Sequence, residues 1–229
     1  MKYNPVSPNA LLYVMLAVIF VASCSPFNYG YIGDDDEKTE QTPGTDPEPE
    51  PEPEPGQVYV PVVWVDVEGG RNIESKDEYQ NVSVTITEGE ETVLSAAGRM
   101  KGRGNATWGY EKKPYKIKFD EKQGVLGFAA NKDWVLLAEY CDKSLMRTAY
   151  MCEISSALET DYQLRYRHVK LYINKEYRGV YTFIDQIEKK NHRVDIEDDG
   201  YLFENDNYFM NEPLHFTTSV KRYPFTFKY

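Results

Sequence analysis

The sequence predicts an α+β domain, mainly antiparallel sheet with one principal helix. Three observations carry this. Most apolar residues after position 57 fall in short runs that alternate with polar ones, the period of a half-buried strand. Tyr, Val and Ile dominate those runs, and such side chains fit a pleated surface. Only one stretch, after Asp142, shows helical spacing and a good N-cap.

Ahead of the domain, Met1–Ser23 reads as a targeting segment. Lys2 gives a weak positive start, and Ala10–Val21 is a twelve-residue apolar run, short for a span of roughly 20. Val21-Ala22-Ser23-Cys24 is similar to a bacterial lipobox. That implies cleavage before Cys24, lipid attachment there, and a place in the bacterial cell envelope at the outer membrane or cell surface. Several acyl chains hold a protein firmly on a bilayer. An ordinary secretory signal or an uncleaved anchor is the alternative.

Residues 24–56 read as a disordered acidic tether. They contain Asp34-Asp35-Asp36-Glu37 and the Pro/Glu alternation from Asp46 to Gly56. Proline favours extended backbone, repeated glutamates repel one another, and so few apolar residues build no core. Residues 1–56 carry 2 basic and 10 acidic side chains, whereas residues 57–229 carry 24 and 27. The folded part, net −3, is therefore nearly balanced, which argues against nucleic-acid binding.

The 173 residues from Gln57 suffice for one domain with its own core. Strands are expected at Val58–Val67, Asn81–Thr87, Pro114–Asp120, Trp134–Ala138, Arg167–Asn174 and Arg178–Ile187, with weaker ones at Tyr201–Glu204 and Phe216–Val220. Phe225–Tyr229 also reads as strand. Asn174-Lys175-Glu176 reads as a hairpin turn. In the helix, Leu145, Ala149, Cys152 and Ser156 share a face. Cys141 and Cys152 stand about 16 Å apart along that helix, too far for a disulfide. His168, His192 and His215 have no ligand spacing, so no metal site is expected. Neither a G-x-S-x-G elbow nor a Walker lysine motif is present.

The stretch Arg99–Asp120 concentrates Gly102, Gly104 and Gly109 with Lys101, Arg103, Lys112, Lys113, Lys116 and Lys118. Glycines let backbone amides approach an anion, and a basic strand face beyond them would hold it. The competing reading is a turn before an edge strand whose lysines deter pairing.

Four blocks together resemble the CotH family of atypical protein kinases, in the version found in Bacteroidetes surface lipoproteins. They are GRGNATWGYEKKPYKIKFD (102–120), NKDWVLLAEYCDKSLMRTAY (131–150), VKLYINKEYRGVYTFIDQIEKKNHRVDI (169–196) and GYLFEND (200–206). The resemblance implies the N-terminal lobe of a kinase-like fold. It also implies ATP and magnesium as cofactors, and transfer of the terminal phosphate to serine in a protein substrate. Phosphoryl transfer needs cations and backbone donors around the phosphates, a metal, and a carboxylate for the hydroxyl proton. On that basis Gly102, Arg103 and Gly104 are candidates to cover the phosphates. Lys113 or Lys116 would hold them, with Lys116 preferred for reach. Arg147 would point at the nucleotide or Glu153 would orient a lysine, and Asp185 and Glu188 would lie near the adenine. No residue is assigned as catalytic or metal-binding. The family's catalytic aspartates are expected further along, so the sequence reads as a first lobe without its catalytic partner, inactive alone, with weak or no magnesium-dependent ATP stabilisation. A non-catalytic surface module for adhesion, glycan binding or scaffolding is the alternative, with Trp108 and Tyr110 as sugar-stacking or core residues.

Overall fold

A computed structural model describes residues 59–158, 160 and 162–229. The targeting segment, Cys24 and the tether lie outside the described residues, as does Val58.

Seven strands close into a barrel in the order β1-β2-β3-β4-β5-β7-β6. They are β1 (Val62–Val67), β2 (Gln80–Glu88), β3 (Glu91–Gly102), β4 (Tyr115–Gln123), β5 (Asn131–Leu137), β6 (Tyr166–Ile173) and β7 (Glu176–Asp185). Each pairs antiparallel with its neighbours except β6, which returns parallel to β1 with Val63 beside Leu171. Alternation decides what faces inward. Val63, Val65, Val84, Ile86, Met100, Ile117, Trp134, Leu136, Val169, Leu171 and Phe183 fill the interior with almost no exposure. Val125, Leu126 and Phe128 plug one end, where Phe128 stacks on Trp134 and Phe183 at 5.5 and 5.9 Å.

The expected α+β kinase-like lobe is thus corrected to a mostly β fold, a closed barrel with one α-helix on its outside among the described residues. Two features produce the difference. β3, through Ser95-Ala96-Ala97-Gly98, has poor strand propensity and no apolar alternation there, yet it supplies the ladder joining β2 to β4. The β6–β1 pairing then seals the sheet, which removes its edges.

The helix α1 (Arg147–Ala157) begins later than its N-cap suggested. Leu145 adopts a left-handed φ of 57° and delays it. Asp142 still serves the helix start, accepting the Arg147 amide at 2.8 Å and the Ser144 hydroxyl at 2.6 Å. Burial pushes its carboxyl up, but these hydrogen bonds outweigh that and leave it below its ordinary range. Ala149 and Cys152 face the barrel, where Cys152 meets Val135 of β5 and Ile184 of β7. Ser155 is buried and Ser156 exposed, the reverse of the expected face. Both Cys141 and Cys152 are free thiols.

The β6–β7 turn has two central residues, Asn174 and Lys175, with φ of 51° and 69°. Positive φ at both is what a tight type I′ hairpin requires. After the barrel, β8 (Phe203–Asn205), β9 (His215–Thr217) and β10 (Pro224–Phe227) form a separate antiparallel sheet in the order β8-β10-β9.

The registers define two barrel ends. The upper end gathers the β3–β4 connection, the exit of β5 and the β6–β7 turn. At the lower end lie the β2–β3 turn, the β4–β5 connection and the exit of β7.

Candidate functional site

The glycine loop crosses the upper end, and most of its chemistry is internal. Gly102 donates its amide to Ser75 O at 2.8 Å, and Arg103 donates to Pro114 O at 3.1 Å. The Trp108 and Tyr110 amides close short turns on Asn105 O and Thr107 O. Gly102 lies under the Trp108 ring, so an added Cβ would sit 2.2 Å from a ring carbon. Gly104 has φ +84°, and a Cβ there would meet the Thr107 hydroxyl at 2.1 Å. Both glycines are therefore required by packing and turn geometry. Lys113 braces the same loop, donating to Trp108 O at 2.7 Å with its ammonium 5.3 Å from the Trp108 ring centre. Trp108 packs against the core.

Of the other sequence-selected residues, Arg147 lies at the start of α1 near the upper end and the rest lie apart. Lys116 points outward from β4 and pairs with Asp133 at 3.0 Å. Glu153 accepts the Tyr166 hydroxyl at 3.1 Å, on the β6 side of α1, and is not the partner of Lys116. Arg147 opens α1 with an exposed side chain, its Nε 3.9 Å from Asp142. Asp185 and Glu188 are at the lower end, across the barrel from the glycine loop. There the Arg193 side chain, fully buried, donates to Asp185 at 3.1 Å, to Glu188 and to the Asp133 carbonyl. Lys190 bridges Glu188 and Asn131, each at 2.9 Å. Burial pushes the Asp185 carboxyl up, while Arg193 pulls it back. This network fastens the segment after β7 to the barrel.

Two residues not singled out as candidates stand at the upper end, Glu139 and Lys112, the latter named only among the cations of the Arg99–Asp120 stretch. Lys112 donates to Val180 O, lies 4.5 Å from the Tyr181 ring centre, and touches Gly179. Burial pushes its ammonium below the ordinary lysine range; Glu139 opposes that and Lys143 adds to it. Glu139 accepts the Thr148 hydroxyl at 2.6 Å, tying the exit of β5 to the first turn of α1. Its carboxyl is pushed up by burial first and by Asp142, against the Thr148 hydrogen bond, His168 and Lys112. Tyr110 stacks on Tyr140 at 5.1 Å, and the Lys143 ammonium lies 4.3 Å from the Tyr140 ring centre. The available signals were small: a doubled lysine before Pro114, and an acid at the end of the apolar WVLLA run.

The upper end therefore joins Lys112, Lys143 and the start of α1 near a half-buried carboxylate, Glu139. Such a setting can hold an anionic group against positioned ammoniums, with an aromatic pair beside it. It fits the phosphates of a nucleotide. It does not fit a metal ion: among the described residues no three His, Cys, Asp or Glu side chains converge as ligands.

Comparison with curated proteins returns no match. The family model described as CotH kinase protein matches residues 100–226, from the end of β3 through the second sheet. The match spans more than half the chain and includes every residue of the upper-end cluster, so the chain belongs to the CotH kinase protein family.

Proposed function

We propose that the barrel is the nucleotide-holding part of a lipid-anchored protein kinase that uses ATP to phosphorylate serine in a protein substrate. Family membership supports the kinase class. The observation that carries the site is Lys112, half-buried at the upper end on the Val180 carbonyl and 4.5 Å from the Tyr181 ring centre, with Glu139 and Lys143 near enough to act on its charge. In kinase chemistry a lysine positioned by a carboxylate grips the phosphates, and no covalent step falls to it. Here Lys112 and Lys143 would meet the phosphates. Glu139 opposes the effect of burial on the Lys112 ammonium and, through Thr148, couples the site to α1.

Attachment through Cys24, at the outer membrane or cell surface, belongs to the same reading and rests on the lipobox-like stretch. Titration of the full chain with ATP, followed by amide NMR, tests the site. Weak binding that shifts Tyr110, Lys112 and Lys143 is expected. Shifts confined to the lower end, around Glu188 and Arg193, would refute it.

A further inference from the structure

Four cations share the outer face of β3 and β4. In the register of this pair Arg99 stands opposite Lys118 and Lys101 opposite Lys116. Like charges directly opposed across a sheet destabilise it. Asp133 pairs with Lys116 at 3.0 Å and stands opposite Lys118 in the β4–β5 register, while Arg99, Lys101 and Lys118 form no ion pair among the described residues. The Tyr79 ring supports Arg99 and Lys101, at 5.7 and 4.9 Å from its centre. Exposed Asp120, beyond Lys118, bounds the patch.

Protection of a sheet edge does not explain these charges. β3 is bonded to β2 and β4, and β4 to β3 and β5, in a closed barrel, so neither strand has a free edge. Nor does overall basicity, because residues 57–229 are net acidic.

We propose that this face docks an extended acidic segment of a protein partner, which is the kinase substrate if the reading above holds. The geometry favours that occupant. Arg99 to Lys101, and Lys116 to Lys118, are alternate residues on their strands, about 6.6–6.8 Å apart. An extended peptide has the same alternate spacing. Carboxylates at every second position therefore meet successive cross-strand cation pairs. The absence of an edge means that side chains alone make the contact, so it depends strongly on salt. A bilayer or a nucleic-acid duplex presents phosphates over a much wider area, and the acidic remainder of the domain would repel it.

The test uses the full chain and a fluorescein-labelled peptide of alternating Glu and Ser, read by anisotropy at low salt. Binding is expected, weakening at least tenfold in a Lys101→Ala/Lys118→Ala double variant and in 0.5 M salt, and absent when Gln replaces Glu in the peptide. The double variant should melt no lower than wild type, since it loses opposed charges, so lost binding would not reflect unfolding. ATP binding at Lys112 should survive in it, and a Lys112→Ala variant should keep the peptide; the two sites can therefore fail separately. Equal peptide affinity in wild type and the double variant would overturn the proposal. So would capture of phosphatidylserine vesicles, in preference to the peptide, with the same dependence on Lys101 and Lys118.

Discussion

Trp108 lies on Gly102 so closely that no side chain fits between the ring and the end of β3. This contact, with the Lys113 ammonium held on the Trp108 carbonyl, makes the glycine loop a fixed lid on the upper barrel end. Gly102→Ala is predicted to push Trp108 out and to cost about 1–3 kcal/mol, the usual range for overpacking. Urea denaturation followed by tryptophan fluorescence measures it. An unchanged midpoint would mean that the ring can move aside freely.

Lys175 occupies a left-handed turn position that costs a non-glycine residue energy. Lys175→Gly relieves that cost and is predicted to stabilise the fold by about 1 kcal/mol, less the greater freedom glycine gives the unfolded chain. Asn174 is different, because its side chain bonds the Val67 amide at 2.8 Å and the Arg71 carbonyl at 2.9 Å. Asn174→Gly should therefore destabilise, and thermal melting of the two variants should move in opposite directions.

Arg193 holds Asp185 and Glu188 with no solvent access of its own. Removing one member of a buried pair strands the other, at roughly 3–5 kcal/mol. Arg193→Ala should thus be among the most damaging single changes, visible as a large drop in the urea midpoint.

Glu139 predicts a pH dependence. A carboxyl raised above its ordinary value of 4.5 makes the folded state bind more protons than the unfolded chain. Its contribution to stability is complete below that value and is lost as pH rises through the folded pKa. Glu139→Gln keeps an acceptor for Thr148 and removes the loss. The variant should match wild type near pH 4 and exceed it at pH 8 in melting temperature. A gap that shrinks as pH rises would contradict the assigned shift.

The sequence made the strands with strong alternation legible. β2, β4 and β6 were expected within a few residues of their observed limits because burial alternates along them, and β7 because of its apolar run, buried throughout its second half. β3 was not legible: its Ser-Ala-Ala-Gly stretch is held by pairing on both sides, a tertiary effect. Closure was hidden too, since nothing local marks the parallel β6–β1 ladder.

For the site, the sequence pointed to the glycine loop with its glycines as ligand contacts, whereas Trp108 and Thr107 claim Gly102 and Gly104. Arg147 does sit at the start of the helix beside the cluster. Lys116, Glu153, Asp185 and Glu188 satisfy the order of kinase elements but lie on other faces. Lys112 and Glu139 were not singled out because they approach only in space, Lys112 on the β3–β4 connection and Glu139 at the exit of β5.

Lys112 is the most direct test of the account. Titration of ATP into the full chain and into Lys112→Ala, with melting checked for both, should show weak binding to wild type and at least a tenfold loss in the variant, while Lys116→Ala loses little. Equal affinity for wild type and Lys112→Ala, or loss confined to Lys116→Ala, would contradict the placement of the phosphates at the upper end.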